Sequence, residues 1–221
     1  MVKVLDLFCG AGGASMGYKL AGFEVVGVDI KPQPNYPFEF IQDDAIAAFQ
    51  VIGGKFDLIH ASPPCQVYSK IQTRWDSEDR RSGHPDMVDE VRDLISDTPY
   101  VIENVPNAPL INPITLCGGM FNLKDSEGRG LRRHRLFESN FFLPQIKHPT
   151  HKGLAVGVYG HPGGSSKRDG YKFATVQNWR EAMEIDWMLT GELSESIPPA
   201  YTKWIGEQIA PLLQGPIGND I

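Results

Sequence analysis

A cysteine, Cys65, stands in the stretch "HASPPCQVYS", residues 60–69, behind Pro63 and Pro64 and ahead of Gln66. Two consecutive prolines fix two φ angles and withdraw two backbone donors, so the thiol is presented by a stiff turn that an ordinary core cysteine does not need. That placement marks Cys65 as a candidate nucleophile. A few dozen residues on, Glu103 closes the apolar run "YVIENV" and Asn104 follows it. A carboxylate at the end of an apolar strand is costly to bury unless it is used or paired. Arg133 and Arg135, two apart in "RRHRLFES", would project to one face of a strand and could grip a polar substrate or a phosphate.

A second group points to a nucleoside-bearing cofactor. "DLFCGAGG" sets Gly10, Gly12 and Gly13 between a strand and a helix, where backbone passes close to a ligand and helix amides can meet it. The spacing is not the dinucleotide G-x-G-x-x-G. Asp29, at the end of the second strand, strengthens the reading because a carboxylate there can accept hydrogen bonds from ribose hydroxyls, and Asp44 is placed to receive an adenine amino group.

The elements that must hold these groups alternate. "VKVLDLF" reads as a strand, "ASMGYKLAG" as a helix ended by Gly22, "FEVVGVDI" as a strand, Asp44 to Val51 as a helix, "FDLIHAS" as a strand, Met87 to Ser96 as a helix and "PYVIENV" as a strand. Such alternation predicts an α/β fold with a doubly wound, mostly parallel sheet and right-handed crossovers. The rhythm breaks after about residue 105; "RRHRLFES" reads as one more strand, residues 139–178 as a loop-rich insertion, and residues 179–221 as helices that pack back on the sheet. The expected division is 1–138, 139–178 and 179–221. Trp187, Met188 and Trp204 fall on helical spacing and are read as core.

Composition narrows the class. The 221 residues are 41% hydrophobic and 22% charged, and no apolar run approaches the roughly 18 residues of a membrane span. The opening residues lack a signal-peptide pattern, so the expected compartment is the cytoplasm. Three cysteines without a C-x-x-C pair suit neither a disulfide framework nor a zinc finger, and His148 and His151 have no cysteine or carboxylate at ligand spacing; no metal is expected. Cys9 and Cys117 are read as packing residues. Net charge is -6, yet Lys124 to Arg180 holds eleven Lys or Arg against four Asp or Glu, a basic segment on an acidic body and the footprint of a phosphate-binding face.

Taken in order, "DLFCGAGGASMG", "VGVDI", "SPPCQ", "VIENV" and "RRHRLFE" resemble the motifs of DNA (cytosine-5) methyltransferases, over residues 3 to about 138. The C-terminal "ESIPPAYTKWIGEQI" is similar to compact phage-encoded members. The resemblance implies a Rossmann-like catalytic domain and S-adenosylmethionine as donor, with Phe8, Gly10, Gly12, Gly13, Asp29, Ile30, Asp44 and Pro63 around it. It implies that the Cys65 thiolate adds to carbon 6 of a flipped cytosine, that Glu103 engages ring nitrogen 3 and the exocyclic amine, that Arg135 holds the base carbonyl and that Arg133 supports the loop or the adduct. Double-stranded DNA is the implied partner of a monomeric enzyme, contacted by Gln66, Ser69, Lys70 and Arg74 on a loop closing over the base and by Lys167 and Arg168 of the insertion. Related acceptors (RNA or a free pyrimidine nucleotide), a modified cofactor, or a non-catalytic DNA-binding relic are the alternatives. Two departures stand out. Leu131 replaces the glutamine usual two residues before Arg133, and only about 40 residues serve target recognition, which implies a site of about two to four base pairs.

Overall fold

The computed structural model describes residues 1–68, 86–160 and 174–213. Five strands run parallel: β1 (Lys3–Leu7), β2 (Glu24–Asp29), β3 (Glu39–Gln42), β4 (Leu58–Ala61) and β5 (Tyr100–Asn104). With β6 (Ile114–Leu116) and β8 (Arg135–Ser139) they form one sheet in the order β3-β2-β1-β4-β5-β8-β6, in which β8 is antiparallel to both of its neighbours. A separate two-stranded ribbon pairs β7 (Gly130–Leu131) with β9 (Ala155–Val156). The chain winds outward in both directions from β1 and β4. Ligand crevices of such sheets lie at the carboxyl ends of the strands where the order reverses.

The apolar runs read from the sequence are the central strands, buried on both faces as parallel strands must be. Their side chains alternate between two layers. Val4, Leu58 and Val101 join a large core with Tyr18, Trp179, Met188, Tyr201 and Ile205, whereas Leu5, Leu7, Ile59 and Ile102 face Ala45, Ala48, Val91 and Ile95. The first layer is covered by α1 (Gly13–Leu20), α4 (Val176–Met183), α5 (Thr190–Glu195) and α6 (Pro199–Leu213); the second by α2 (Ala45–Ile52) and α3 (Val88–Ile95). Among the described residues no helix is long and apolar enough to cross a membrane.

The C-terminal helix reaches the glycine turn through α1. A side chain at Gly17 would strike Thr202 Oγ1 at 2.0 Å, so only glycine lets α6 approach this closely. Thr202 then donates to the Ala14 carbonyl at 2.7 Å, and Trp187 Nε1 to the Ala11 carbonyl at 2.9 Å. Met188 is fully buried and Trp187 and Trp204 pack against the same core, as expected. The helical spacing that suggested it is overturned for two of them: Trp187 and Met188 lie in a bend between α4 and α5, and only Trp204 is on a helix.

Two of the boundaries that differ from the sequence reading bear on the site. The helix expected from Asp44 begins at Ala45 because Asp44 is its cap, its Oδ1 accepting from the amides of Ile46 and Ala47 at 3.0 Å each. The strand expected over "RRHRLFES" begins only at Arg135. Arg132, Arg133 and His134 form the connection from β7, so the expectation that Arg133 and Arg135 share one strand face is overturned.

Candidate active site

At the carboxyl end of β1 the chain turns through left-handed backbone at Phe8 (φ 59°), Gly10 (φ 49°) and Gly12 (φ 86°) before entering α1. A β-carbon built on Gly10 meets nothing within 4 Å, so the outer side of the turn is open, whereas one on Gly12 would lie 3.0 Å from the Tyr36 ring. The turn is tied to the end of β2 by Asp29, which accepts from the Gly10 amide at 3.0 Å and from the Lys31 amide at 2.9 Å. Each carboxylate oxygen thus holds one backbone amide and keeps lone pairs for a further donor. Beside it Ile30 exposes 66% of its surface, an apolar side chain at the open edge, and Asp44 lies exposed after β3 with Oδ2 outside its capping bonds. Open backbone at Gly10, an anchored carboxylate and a bare aliphatic face fit a nucleoside cofactor. Beneath the turn, Asp6 is fully buried and accepts from Ser15; burial, opposed by that bond, pushes its carboxyl up to about 7.

At the carboxyl ends of β4 and β5 the predicted chemical groups meet. The Asn104 amide donates to the Pro63 carbonyl at 3.1 Å, so the residue after Glu103 pins the turn that presents Cys65. Glu103 is 7% exposed, and Arg135 Nε lies 3.1 Å from its Oε1. The guanidinium N–H is not aimed along that line, and Oε1 is left with an ion-pair partner but no hydrogen bond. Burial raises the Glu103 pKa; Arg135, Arg133 and a hydrogen bond from Ser62 oppose the shift without cancelling it. Cys65 is half-buried, and burial and the Glu103 charge push its thiol up against the pull of Arg135. Thiol and carboxyl are therefore coupled: a proton on Glu103 removes the charge that suppresses the Cys65 thiolate and leaves the arginine that promotes it.

Behind Glu103 lies a buried chain of hydrogen bonds. Tyr18 OH is 3.0 Å from His60 Nδ1, and His60 Nε2 is 3.1 Å from Ser62 Oγ, which bonds Glu103. Burial lowers the His60 pKa to about 3, so the ring is neutral. A carboxylate only accepts, hence Ser62 donates to Glu103, His60 Nε2–H donates to Ser62, and Tyr18 donates to Nδ1.

Arg133 does not stand with Arg135. It is fully buried, donates to the carbonyls of Val158 at 2.5 Å and Ser194 at 2.7 Å, and lies 5.5 Å from the centre of the Tyr159 ring. Its guanidinium ties the stretch after β9 to the end of α5, and its charge reaches the site only through space. Leu131, where a glutamine was expected, is 1% exposed in the apolar core. The basic segment is weaker than its residue count suggests. Arg129 is buried in an ion pair with Asp125, Arg133 is buried on carbonyls and Arg135 faces Glu103. Of the residues expected to meet DNA, Gln66 is half-buried in a short helical turn with Oε1 unpartnered; Ser69, Lys70, Arg74, Lys167 and Arg168 lie outside the described residues.

Sequence reading missed three groups. His60 and Ser62 bracket the end of β4 without any spacing signal. Glu138, on β8, accepts from Arg92 Nε at 2.7 Å and Nη2 at 2.9 Å, from Tyr100 OH at 3.0 Å and from the Ile111 amide at 2.6 Å. An acidic residue inside the apolar "RLFES" was the available signal for this anchor. The expectation that no cysteine stands near His148 and His151 is also overturned, since folding brings Cys117 and His134 to them.

The chain is similar to known proteins in sequence and in fold. The family model of C-5 cytosine-specific DNA methylases matches residues 2–109. Type II methyltransferase M.HgiGI of Herpetosiphon aurantiacus is 31% identical over 125 residues, which are 49% of this chain and 94% of that protein. M.AplI of Arthrospira platensis is 33% identical over 93 residues, 40% of this chain but 27% of that relative, so the chain spans about a quarter of its length. Among solved structures, one described as a prophage-encoded DNA modification methyltransferase of E. coli aligns over 97% of this chain and 100% of its own, with a TM-score of 0.62 at 14% identity, a likeness of fold. With the family model matched over residues 2–109 and a relative 31% identical covered over 94% of its length, the chain belongs to the C-5 cytosine-specific DNA methylase family.

Proposed function

We propose that the chain transfers a methyl group from S-adenosylmethionine to carbon 5 of cytosine in double-stranded DNA, through a covalent cysteine adduct on a flipped-out base. The observation that carries this reading is the buried Glu103, with an unbonded Oε1, beside the Arg135 guanidinium and the Cys65 turn. Cytosine carbon 5 is a poor nucleophile. Addition of a thiolate to carbon 6 converts the ring into an enamine whose carbon 5 can attack an electrophilic methyl group. A carboxyl group with a raised pKa suits proton donation to ring nitrogen 3 as the thiolate adds. The coupling of the two sites supports this order, because the proton that Glu103 needs as an acid is the one whose presence favours the Cys65 thiolate.

S-adenosylmethionine supplies the electrophilic methyl group. Asp29 would accept from its ribose hydroxyls, Ile30 and Phe8 would cover its adenine face, Asp44 would receive the adenine amine, and the turn from Gly10 to Gly13, together with Pro63, would allow close approach of backbone. Methyl transfer leaves carbon 5 tetrahedral; a base removes its proton, and the Cys65 sulfur leaves with restoration of the ring. Flipping the base costs about a few kcal/mol, returned by hydrogen bonds to Glu103 and Arg135. Relatives named as type II methyltransferases and a prophage-encoded modification enzyme favour DNA modification, in a phage or restriction-modification setting, as the biological role.

The test is mass spectrometry of the protein incubated with S-adenosylmethionine and duplex DNA carrying 5-fluorocytosine, which blocks the final elimination. A stable adduct on Cys65, absent in Cys65→Ser, is expected. Cofactor binding without an adduct on DNA would turn the proposal towards RNA or nucleotide acceptors.

A further inference from the structure

Away from the crevice, four side chains from three parts of the chain converge on one point. Cys117 follows β6, His134 precedes β8, and His148 and His151 come from the segment before β9; one ligand atom from each lies within 4.8 Å of all the others. His134 Nε2 is 2.9 Å from His148 Nε2 and 3.2 Å from His151 Nε2, and His151 Nε2 is 3.6 Å from Cys117 Sγ. Tetrahedral zinc, with bonds of about 2.0–2.1 Å to nitrogen and 2.3 Å to sulfur, sets its ligands about 3.3 Å apart between nitrogens and about 3.6 Å between nitrogen and sulfur. The nitrogen–sulfur spacing matches that value, and the two nitrogen–nitrogen spacings fall about 0.1–0.4 Å below theirs.

We propose that Cys117, His134, His148 and His151 form a structural zinc site. The donor set is one thiolate and three imidazoles, the class that selects zinc over hard cations, and four protein ligands leave no open position for catalysis. His134 also hydrogen bonds the Arg132 carbonyl. With Nε2 turned into the cluster, that bond presents Nε2 as a lone pair, the usual support of a zinc-bound histidine. The surroundings are built for the approach: a side chain at Gly119 would lie 3.1 Å from Pro149 Cγ and 3.6 Å from His151 Cε1.

The site would clamp the 148–151 segment to the catalytic sheet. It also touches the active site at one remove, because Arg135 Nη1 donates to the His134 carbonyl at 2.9 Å. A small region of weak regular structure gains rigidity from such a clamp without a larger core.

The test uses the full chain, stripped with a chelator and titrated with zinc or cobalt(II). One tetrahedral cobalt ion per chain, with a thiolate-to-cobalt charge-transfer band, is expected, together with a higher Tm in zinc. Cys117→Ser should lose that band, and His148→Ala, a change at an exposed position that leaves the core intact, should weaken metal binding by about tenfold or more. Cobalt spectra like those of the ion in buffer, or His148→Ala and Cys117→Ser binding metal as tightly as the parent, would show only a hydrogen-bonded histidine cluster and overturn the assignment.

Discussion

The two halves of the crevice are built differently. The edge formed by β1 and β2 relies on backbone: a left-handed turn, amides of Gly10 and Lys31, and a carboxylate whose two oxygens are engaged by them. The edge formed by β4 and β5 relies on side chains and is left incomplete, with Gln66 Oε1 and Glu103 Oε1 buried and without hydrogen bonds. A site that binds a constant group can be satisfied in advance. One that must stabilise charge only as a base reacts keeps its polar groups unspent until that moment.

The sharpest way to separate the halves is Glu103→Gln. Loss of the acid should lower kcat about 10²–10⁴-fold while cofactor affinity, measured by calorimetry, is unchanged. The same substitution removes the negative charge that suppresses the thiolate, so alkylation of Cys65 by iodoacetamide near neutral pH should accelerate as turnover collapses. Slower alkylation would show that the carboxylate does not oppose the thiolate. Arg135→Ala should do the reverse, slowing alkylation and lowering turnover by about 10²-fold, because the cation that favours the thiolate is gone.

At the other edge, Gly10→Ala probes the backbone half. A methyl group there meets no protein atom but forces left-handed backbone on a residue with a β-carbon, a cost of about 1–2 kcal/mol. Cofactor affinity should fall by about tenfold, with Cys65 alkylation unaltered. Equal loss of both would mean that the turn supports the catalytic edge as well.

The contrast also explains what could be read in advance. Groups held by local chemistry were legible: glycines where φ is positive, a thiol behind two prolines, a carboxylate ending an apolar strand. Asp44 was legible as a helix start, though its geometry makes it the cap, because local patterns mark a boundary only to within a residue. Arg133 was misread because strand alternation was extended through a connection; the partners that bury it, Val158 and Ser194, lie far along the chain. Cys117 and His134 escaped for the same reason: ligand spacing searched along sequence cannot see β6 and β8 side by side.

The smallest effect, and the one that tests positioning, concerns Ser62 and His60. The Ser62 bond favours the ionised form of Glu103, so Ser62→Ala should raise the carboxyl pKa further. A group that must be protonated to act then stays protonated to higher pH, and the alkaline limb of the kcat profile should move upward while kcat at its optimum falls by less than about tenfold. His60→Phe should move that limb the same way by a smaller amount, since it weakens the Ser62 bond without removing it. A merely structural pair would lower Tm and scale the rate at every pH alike. An unmoved limb in Ser62→Ala would therefore disconnect the buried Tyr18–His60–Ser62 chain from the acid it terminates in.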